Sequence, residues 1–338
     1  MKKTGNTYCF QDPPRVLAYA SVVGKKEGEG PLSRDFDYIS DDNTFGEQTW
    51  EKAESRMMSM ALERALSKAH LPPSQLGCIL GGDLLNQCIG TTFALRPTNV
   101  PFLGLYGACS TMAEGLLVAS CLVESGFEQT ACAITSSHFC SAERQYRYPL
   151  EYGGQRPQTA QWTATASGAV VLQKGGMGVR ITHATPGRIA DPGVTSQANM
   201  GAAMALSAYE TISRFFQDTH TGPSHYDLIV TGDLGKVGHQ IVIDLFQRDG
   251  IDMRPTYYDC GLLLYDGSQD VHAGGSGCGC SAAVLCSYIL KAMEQGIFRK
   301  VLFCGTGALL SPTSCNQGQS IPGICHLICL EADEKWNM

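Results

Sequence analysis

Three places in the 338-residue sequence bring together residue types able to do chemistry. The first is Gly107-Ala-Cys-Ser-Thr111, where Cys109 follows a short apolar run, Pro101–Tyr106, and precedes a helix-forming stretch, Ser110–Ser125. A cysteine at a strand-to-helix turn lies beside free helix N–H groups and the positive end of the helix dipole, which favour a thiolate and can hold an anion or oxyanion. The competing reading is a buried thiol where only a small side chain fits. The second place is a pair of turns, Gly82-Asp-Leu84 and Gly232-Asp-Leu234, each following an apolar run, which should bring Asp83 and Asp233 towards one cleft. The third is Ala273-Gly-Gly-Ser-Gly-Cys-Gly-Cys-Ser-Ala-Ala283, a glycine run that lets backbone approach a ligand closely and opens a helix, Ser281–Gln295. Its spacing is not the dinucleotide-binding G-x-G-x-x-G. Cys278 and Cys280 have no second ligand pair at suitable spacing, so neither a cofactor nor a bound metal is expected.

The elements that must position these residues follow from periodicity. Apolar runs of strand length alternate with helical patterns at Arg15–Val23, Trp50–Ala69, Gly77–Leu80, Ser110–Ser125 and Thr130–Ser136. That alternation predicts an α/β protein with βαβ units and a mainly parallel sheet. Glu143–Thr163 reads as a long ordered loop before another strand, Ala166–Gln173. After Gly175, Gly176 and Gly178 the pattern resumes at Val179–Thr185, Ala198–Phe216 and Tyr226–Thr231, placing a boundary between halves 1–175 and 176–338.

The halves echo one another. The segment from Pro73 to Leu84 matches that from Pro223 to Leu234 at an offset of about 150 residues, and Glu124–Thr135 matches Glu294–Gly305 at about 170. A duplication with an insertion of roughly twenty residues around Gly250–His272 accounts for both offsets.

Composition narrows the partners. The net charge is −7, from 32 acidic and 25 basic residues without long runs, so no basic face is offered to nucleic acid or anionic lipid. The sequence has no run of eighteen apolar residues, and with no apolar core after Lys2 and Lys3 neither a membrane span nor a secretion signal is expected. The fifteen cysteines fall largely in apolar runs, as at Cys121, Cys132, Cys304 and Cys329, and read as reduced thiols of a cytosolic compartment.

The Ala-Cys-Ser turn, the glycine-rich helix start, Gly305-Thr-Gly-Ala308 and the duplicated halves resemble the thiolase-like superfamily, which contains thiolases and ketoacyl-carrier-protein synthases. More specifically, Gly81–Gln87, Gly107–Thr111, Thr135–His138, Ala142–Gln145, Tyr148-Pro149, Glu151–Gln155, Ala273–Gly277 and Thr306–Pro312 resemble the stage V sporulation protein AD family. The resemblance implies two pseudo-symmetric βαβαβαββ halves in a five-layered αβαβα arrangement. It also implies a homodimer joined through Pro101–Tyr106, with Leu84–Phe93 reaching the partner's site.

For function, the resemblance implies a protein that binds dipicolinate (pyridine-2,6-dicarboxylate) and serves its uptake into the developing spore. It would act beside membrane proteins of the same operon, on the cytoplasmic side of the spore inner membrane. The ligand set expected on that basis is Gly82, Asp83, Leu84, Cys109, Ser110, His138, Asp233, Leu234, Ser276, Gly277, Cys278 and Gly279. A dianion there would face Asp83 and Asp233. Three answers are open: either aspartate caps a helix and faces away, burial protonates one of them, or the ligand arrives as its calcium chelate, with either carboxylate completing the cation's oxygen shell and amides at Ser110 and near Gly279 taking the outer carboxylate oxygens.

A condensing enzyme of the superfamily needs, besides its Cys nucleophile, a His–His or His–Asn pair for proton transfer and oxyanion stabilisation. Here the first partner position matches Asp233 and the second Gly279. An ionised aspartate opposes an enolate, and glycine offers only backbone. His138, His239 and His272 are conceivable substitutes, although a lone histidine is more often a structural hydrogen-bonder. The expectation is therefore a pocket kept in shape and stripped of its chemistry. The alternative is an acyltransferase of unusual mechanism using Cys109 with His138 or His272.

Overall fold

The computed structural model describes residues 1–146 and 156–333. Its first half runs β1 (Arg15–Val23), α1 (Trp50–Ala69), β2 (Cys78–Gly82), α2 (Ile89–Leu95), β3 (Phe102–Gly104), α3 (Thr111–Glu124), β4 (Thr130–Ser137) and β5 (Ala166–Gln173). The second half repeats the order with β6 (Val179–Thr185), α4 (Met200–Thr219), β7 (Leu228–Thr231), α5 (Gly235–Arg248) and β8 (Tyr257–Asp259). It ends with α6 (Cys278–Val284), which continues through a π-helical turn at Leu285–Ile289 into Leu290–Glu294, then β9 (Lys300–Ala308) and β10 (Gly323–Ala332). Each half is βαβαβαββ.

Successive strand residues point to opposite faces, so unbroken apolar runs require cover on both. Leu80, Val230 and Phe303 face a central core shared with Met112 and Leu116 of α3 and Leu285 of the α6 continuation. Their neighbours Ile79, Ile229 and Leu302 face outward. Ile79 packs with Met57 and Met58 of α1, and Ile229 and Leu302 pack with Ile212, Phe215 and Phe246 of α4 and α5. Helices α3 and α6 thus lie between two sheets, with α1 and α2 outside one and α4 and α5 outside the other, giving five layers.

The sheet is mixed rather than mainly parallel. In the first half β2 pairs parallel with β3 and β4, whereas β5 is antiparallel to both β4 and β1. The second half repeats this: β7 is parallel to β8 and β9, and β10 is antiparallel to β9 and β6. A parallel neighbour needs a crossover packed on one face, and both faces are already covered. The chain returns from β9 to β10 through only the short helix Pro312–Asn316. Arg180 opposite Arg15 joins the sheets of the two halves, and the short strand Thr7–Cys9 of the first half also pairs with β6.

Three further expectations are corrected. Most of the insertion lies between β8 and α6, because Tyr257–Asp259 within the expected range is a strand of the repeat. The expected loop begins inside a helix, Phe139–Tyr146, and ends in Trp162–Thr163, which pairs with Gly275–Ser276. Its middle, with Tyr148-Pro149 and Glu151–Gln155, lies outside the described residues. The strand before Cys109 is shorter than Pro101–Tyr106, spanning Phe102–Gly104.

All fifteen cysteines are free; Cys9, Cys121, Cys140 and Cys315 are partly exposed and the others buried. Among the described residues no helix is long and apolar enough to cross a membrane.

Candidate functional site

Edge strand β3 ends at Gly104, and the chain tightens through a helical turn at Ala108–Ser110 into α3. Ala108 takes φ 49°, a left-handed conformation that a side chain disfavours and that surrounding structure must hold. The turn delivers the Cys109 thiol, which is 6% exposed, against Asp233 at the C-terminal end of β7.

Asp233 is fully buried and fully partnered. Its Oδ1 accepts from Thr306 Oγ1 (2.8 Å) on β9. Its Oδ2 accepts from the Gly277 N–H (2.9 Å) and from Ser276 Oγ (3.3 Å). Burial raises its pKa to about 6, with hydrogen bonds from Cys109, Thr306 and Gly277 opposing the rise. Burial first, and then the Asp233 charge, push the Cys109 thiol well above its ordinary value. Burial and the neighbouring carboxylate both favour the neutral thiol at Cys109, the reverse of a thiolate made by an adjacent cation.

The glycine run closes the other wall. Gly277 takes φ 98°, and a Cβ there would lie 2.6 Å from Ser137 Oγ. A Cβ at Gly279 would lie 2.2 Å from the Ala166 carbonyl oxygen, and its N–H already donates to Ser137 Oγ (3.1 Å). The second partner position of a condensing enzyme therefore has no side chain, no room for one, and an amide already engaged.

A cavity of about 420 Å³, including its open mouth, lies over Cys109. Of the expected set, Leu84, Cys109 and Ser276 line it, with Asp233 and Gly277 bonded directly beneath. The remaining lining comes chiefly from Glu143, Tyr146, Thr163, Met200 and Leu310, none of them predicted. Tyr146 Oη donates to the Leu84 carbonyl, and Thr163 Oγ1 donates to Glu143 Oε1 (3.3 Å). The signal for Glu143 was present, since it lies within the Ala142–Gln145 motif, and Tyr146 follows three residues on along the same helix face. Leu310 lies within the Thr306–Pro312 motif, whereas Met200 gave no local signal. Among the described residues no lysine or arginine lines the cavity.

Seven expected residues lie elsewhere. Asp83 turns to α2, its Oδ1 accepting from the Leu85 N–H (2.8 Å) and its Oδ2 from the N–H (2.7 Å) and Oγ1 (2.6 Å) of Thr91. It is buried with Glu54, whose pKa rises to about 8 through burial and then the Asp83 charge. With both oxygens engaged inside the fold, Asp83 does not offer a calcium ligand to the cleft. Gly82 is packed where a Cβ would lie 2.2 Å from the Leu105 carbonyl oxygen. Leu234 is a core residue whose N–H donates to Asp259 (2.8 Å). Ser110 spends both its N–H (3.0 Å) and Oγ (2.6 Å) on the Gly107 carbonyl, so the expected free amide is absent. The Cys278 thiol donates to the Ser136 carbonyl (3.0 Å), and Gly279 is closed as described. His138 Nε2 meets the Asn43 carbonyl (2.8 Å), and its ring lies 5.5 Å from that of Trp50; burial lowers its pKa. His239 stacks on Tyr257 at 4.6 Å, and His272 Nδ1 contacts the Pro157 carbonyl (2.9 Å).

The family model for stage V sporulation protein AD matches residues 4–331. This chain belongs to the stage V sporulation protein AD family. A relative of that description from Bacillus subtilis (strain 168) is 45% identical over 332 residues, covering 98% of each chain. Solved structures share the fold at low identity. One is 3-oxoacyl-[acyl-carrier-protein] synthase III from Aquifex aeolicus VF5, at 13% identity and TM-score 0.57, covering 94% of this chain and 99% of that one. Another is OleA of Xanthomonas campestris bound to cerulenin, at 13% identity and TM-score 0.61, covering 98% and 100%. The fold is thus thiolase-like and the family one of sporulation.

Proposed function

We propose that the cavity over Cys109 is a non-catalytic binding site for dipicolinate, and that the protein serves dipicolinate uptake into the developing spore. In this reading it sits at the cytoplasmic face of the spore inner membrane, beside membrane proteins of the same operon. The observation that carries the reading is the Cys109–Asp233 contact. A cavity remains where condensing enzymes bind acyl groups, but its cysteine is a neutral thiol facing a carboxylate, and the place of the second catalytic partner is sealed by Ala166 and Ser137. Neither His138 nor His272 lines the cavity.

The charge of the lining selects the ligand's form. Glu143 on the wall and Asp233 beneath it disfavour a free dianion, whereas the calcium chelate arrives with its charge compensated and open oxygen sites on the cation. The unit is a homodimer in this reading, since β3 is an edge strand and Leu103 (48%) and Tyr106 (57%) beside it are exposed. Light scattering that finds a stable monomer at micromolar concentration removes the dimer.

Calorimetry with dipicolinate, with and without calcium, tests the binding. Wild type should bind more tightly with calcium, Glu143→Gln should lose that gain, and Cys109→Ala should still bind while Cys109→Phe blocks the cavity by overlap. Absence of binding in either condition overturns the proposal. Incubation with an acyl-CoA followed by mass spectrometry tests the enzymatic alternative, which requires an adduct on Cys109.

A further inference from the structure

A second cluster lies on the strands where the two halves meet, formed by residues far apart in sequence. The short strand Thr7–Cys9 and β10 both pair antiparallel with β6, and His183 of β6 stands opposite Cys9 on one side and Cys329 on the other. Directly opposed residues of antiparallel strands share a face, so these three form a row across the sheet. Glu331, two positions beyond Cys329, lies on that face as well. The coordinating atoms of His183, Cys329 and Glu331 fall within 4.8 Å of one another. All four residues line a cavity of about 640 Å³, its open mouth included, well removed in sequence from the lining of the Cys109 cavity.

We propose that His183, Cys329 and Glu331 bind a zinc ion, with a water in the fourth position facing this cavity. One thiolate, one imidazole and one carboxylate is a donor set suited to zinc, and three protein ligands with an open position is its usual arrangement where a ligand exchanges. Zinc–ligand bonds of about 2.0–2.3 Å require donors roughly 3.3–3.8 Å apart, so closing the site needs about 1 Å of side-chain adjustment. The outer groups are in place. Thr182 Oγ1 lies 3.0 Å from His183 Nδ1 and donates to Glu331 Oε1 (3.3 Å), linking two of the ligands. Arg180 Nη2 donates to Glu331 Oε2 (3.1 Å), fixing the carboxylate.

Charge does not forbid the ion. Lys300 lines the cavity and Arg180 pairs with Glu331, but Asp218 lines the same cavity, and the Cys329 thiolate with Glu331 neutralises a dication. Binding displaces the Cys329 thiol proton to solvent, and no other bond changes.

The test is a cobalt titration of the metal-free full-length chain, followed by displacement with zinc. Wild type should take up one equivalent of cobalt with a thiolate-to-metal charge-transfer absorption and the visible intensity of a tetrahedral site, and zinc should remove both. Cys329→Ser should abolish the charge-transfer band. Because Cys329 is buried in the sheet, Glu331→Gln on the cavity wall provides a second variant. It should keep the circular dichroism of wild type while binding about tenfold or more weakly. At equal zinc concentration the melting temperature of wild type should rise more than that of Glu331→Gln. Absence of a stoichiometric cobalt–thiolate signal in wild type overturns the proposal. So does a signal that survives in Cys329→Ser, because another of the fifteen cysteines would then be its source.

Discussion

At Gly82-Asp83-Leu84 the carboxylate turns to the helix that follows it, whereas at Gly232-Asp233-Leu234 it turns onto Cys109. The neighbouring strand explains the divergence. Thr231 stands opposite Asp259 on β8, and Gly81, its counterpart, stands opposite Gly104 on β3. Asp259 accepts from the N–H groups of Leu234 (2.8 Å) and Gly235 (2.9 Å) and so caps the start of α5. Gly104 has no side chain, and Asp83 must serve the amides at its own helix start. A duplicated turn thus takes its chemistry from the strand beside it: where that strand supplies a cap, the turn's carboxylate is free for a site.

The sharpest way to break this comparison is to make the halves alike at the Cys109 turn. Gly279 is the counterpart of Cys109, and Gly279→Cys should cost about 3 kcal/mol or more, because its Cβ would overlap the Ala166 carbonyl. Denaturant unfolding reads the loss, and a neutral result would show that this wall is not closed.

Removing the caps should produce the next largest effects. Asp259→Ala leaves the buried amides of Leu234 and Gly235 without their acceptor, for about 2–3 kcal/mol. Asp83→Ala should cost less, about 1–2 kcal/mol, because it also relieves the buried repulsion with Glu54. Equal losses would contradict the asymmetry.

A smaller effect separates the halves by pH. Glu54 is an acid whose pKa rises from 4.5 to about 8 on folding, so the folded state binds more protons than the unfolded state between those values. Its contribution to stability is complete below pH 4.5 and declines as pH rises towards 8. Asp233, raised from 3.8 to about 6, declines in the same direction but is exhausted earlier. Glu54→Gln should flatten the melting temperature between pH 6 and 8, whereas Asp233→Asn should alter only the range below about 6. A profile that Glu54→Gln leaves unchanged above pH 6 would show that Glu54 is not the titrating group.

Much of the framework was legible in sequence where the signal was local. The apolar run Arg15–Val23 marked β1, and the helical pattern Trp50–Ala69 coincides with α1, whose start Thr49 caps by accepting from the Lys52 N–H. The approach of Asp233 to Cys109 was legible because the repeat placed both at strand ends on one side of the sheet. The direction of Asp83 stayed open between the cleft and a helix cap, since it depends on the absence of a side chain at Gly104 in another strand. His138 adjoins Ser136 and Ser137 at the strand end, but Asn43 and Trp50, distant in sequence, draw its ring away. The row of Cys9, His183 and Cys329 has no local motif, because only sheet register assembles it.

The distribution of thiols gives this protein an internal clock. Cys9, Cys121, Cys140 and Cys315 can meet an alkylating reagent in the folded state, whereas the other eleven are buried and meet it when the chain opens. Because those hidden thiols are spread over both halves and the central layer, the order in which they become labelled records which layer parts first. A ligand seated over Cys109 that binds only the closed form should slow the labelling of Cys109 and Cys278 most, and reveal itself without any change in shape.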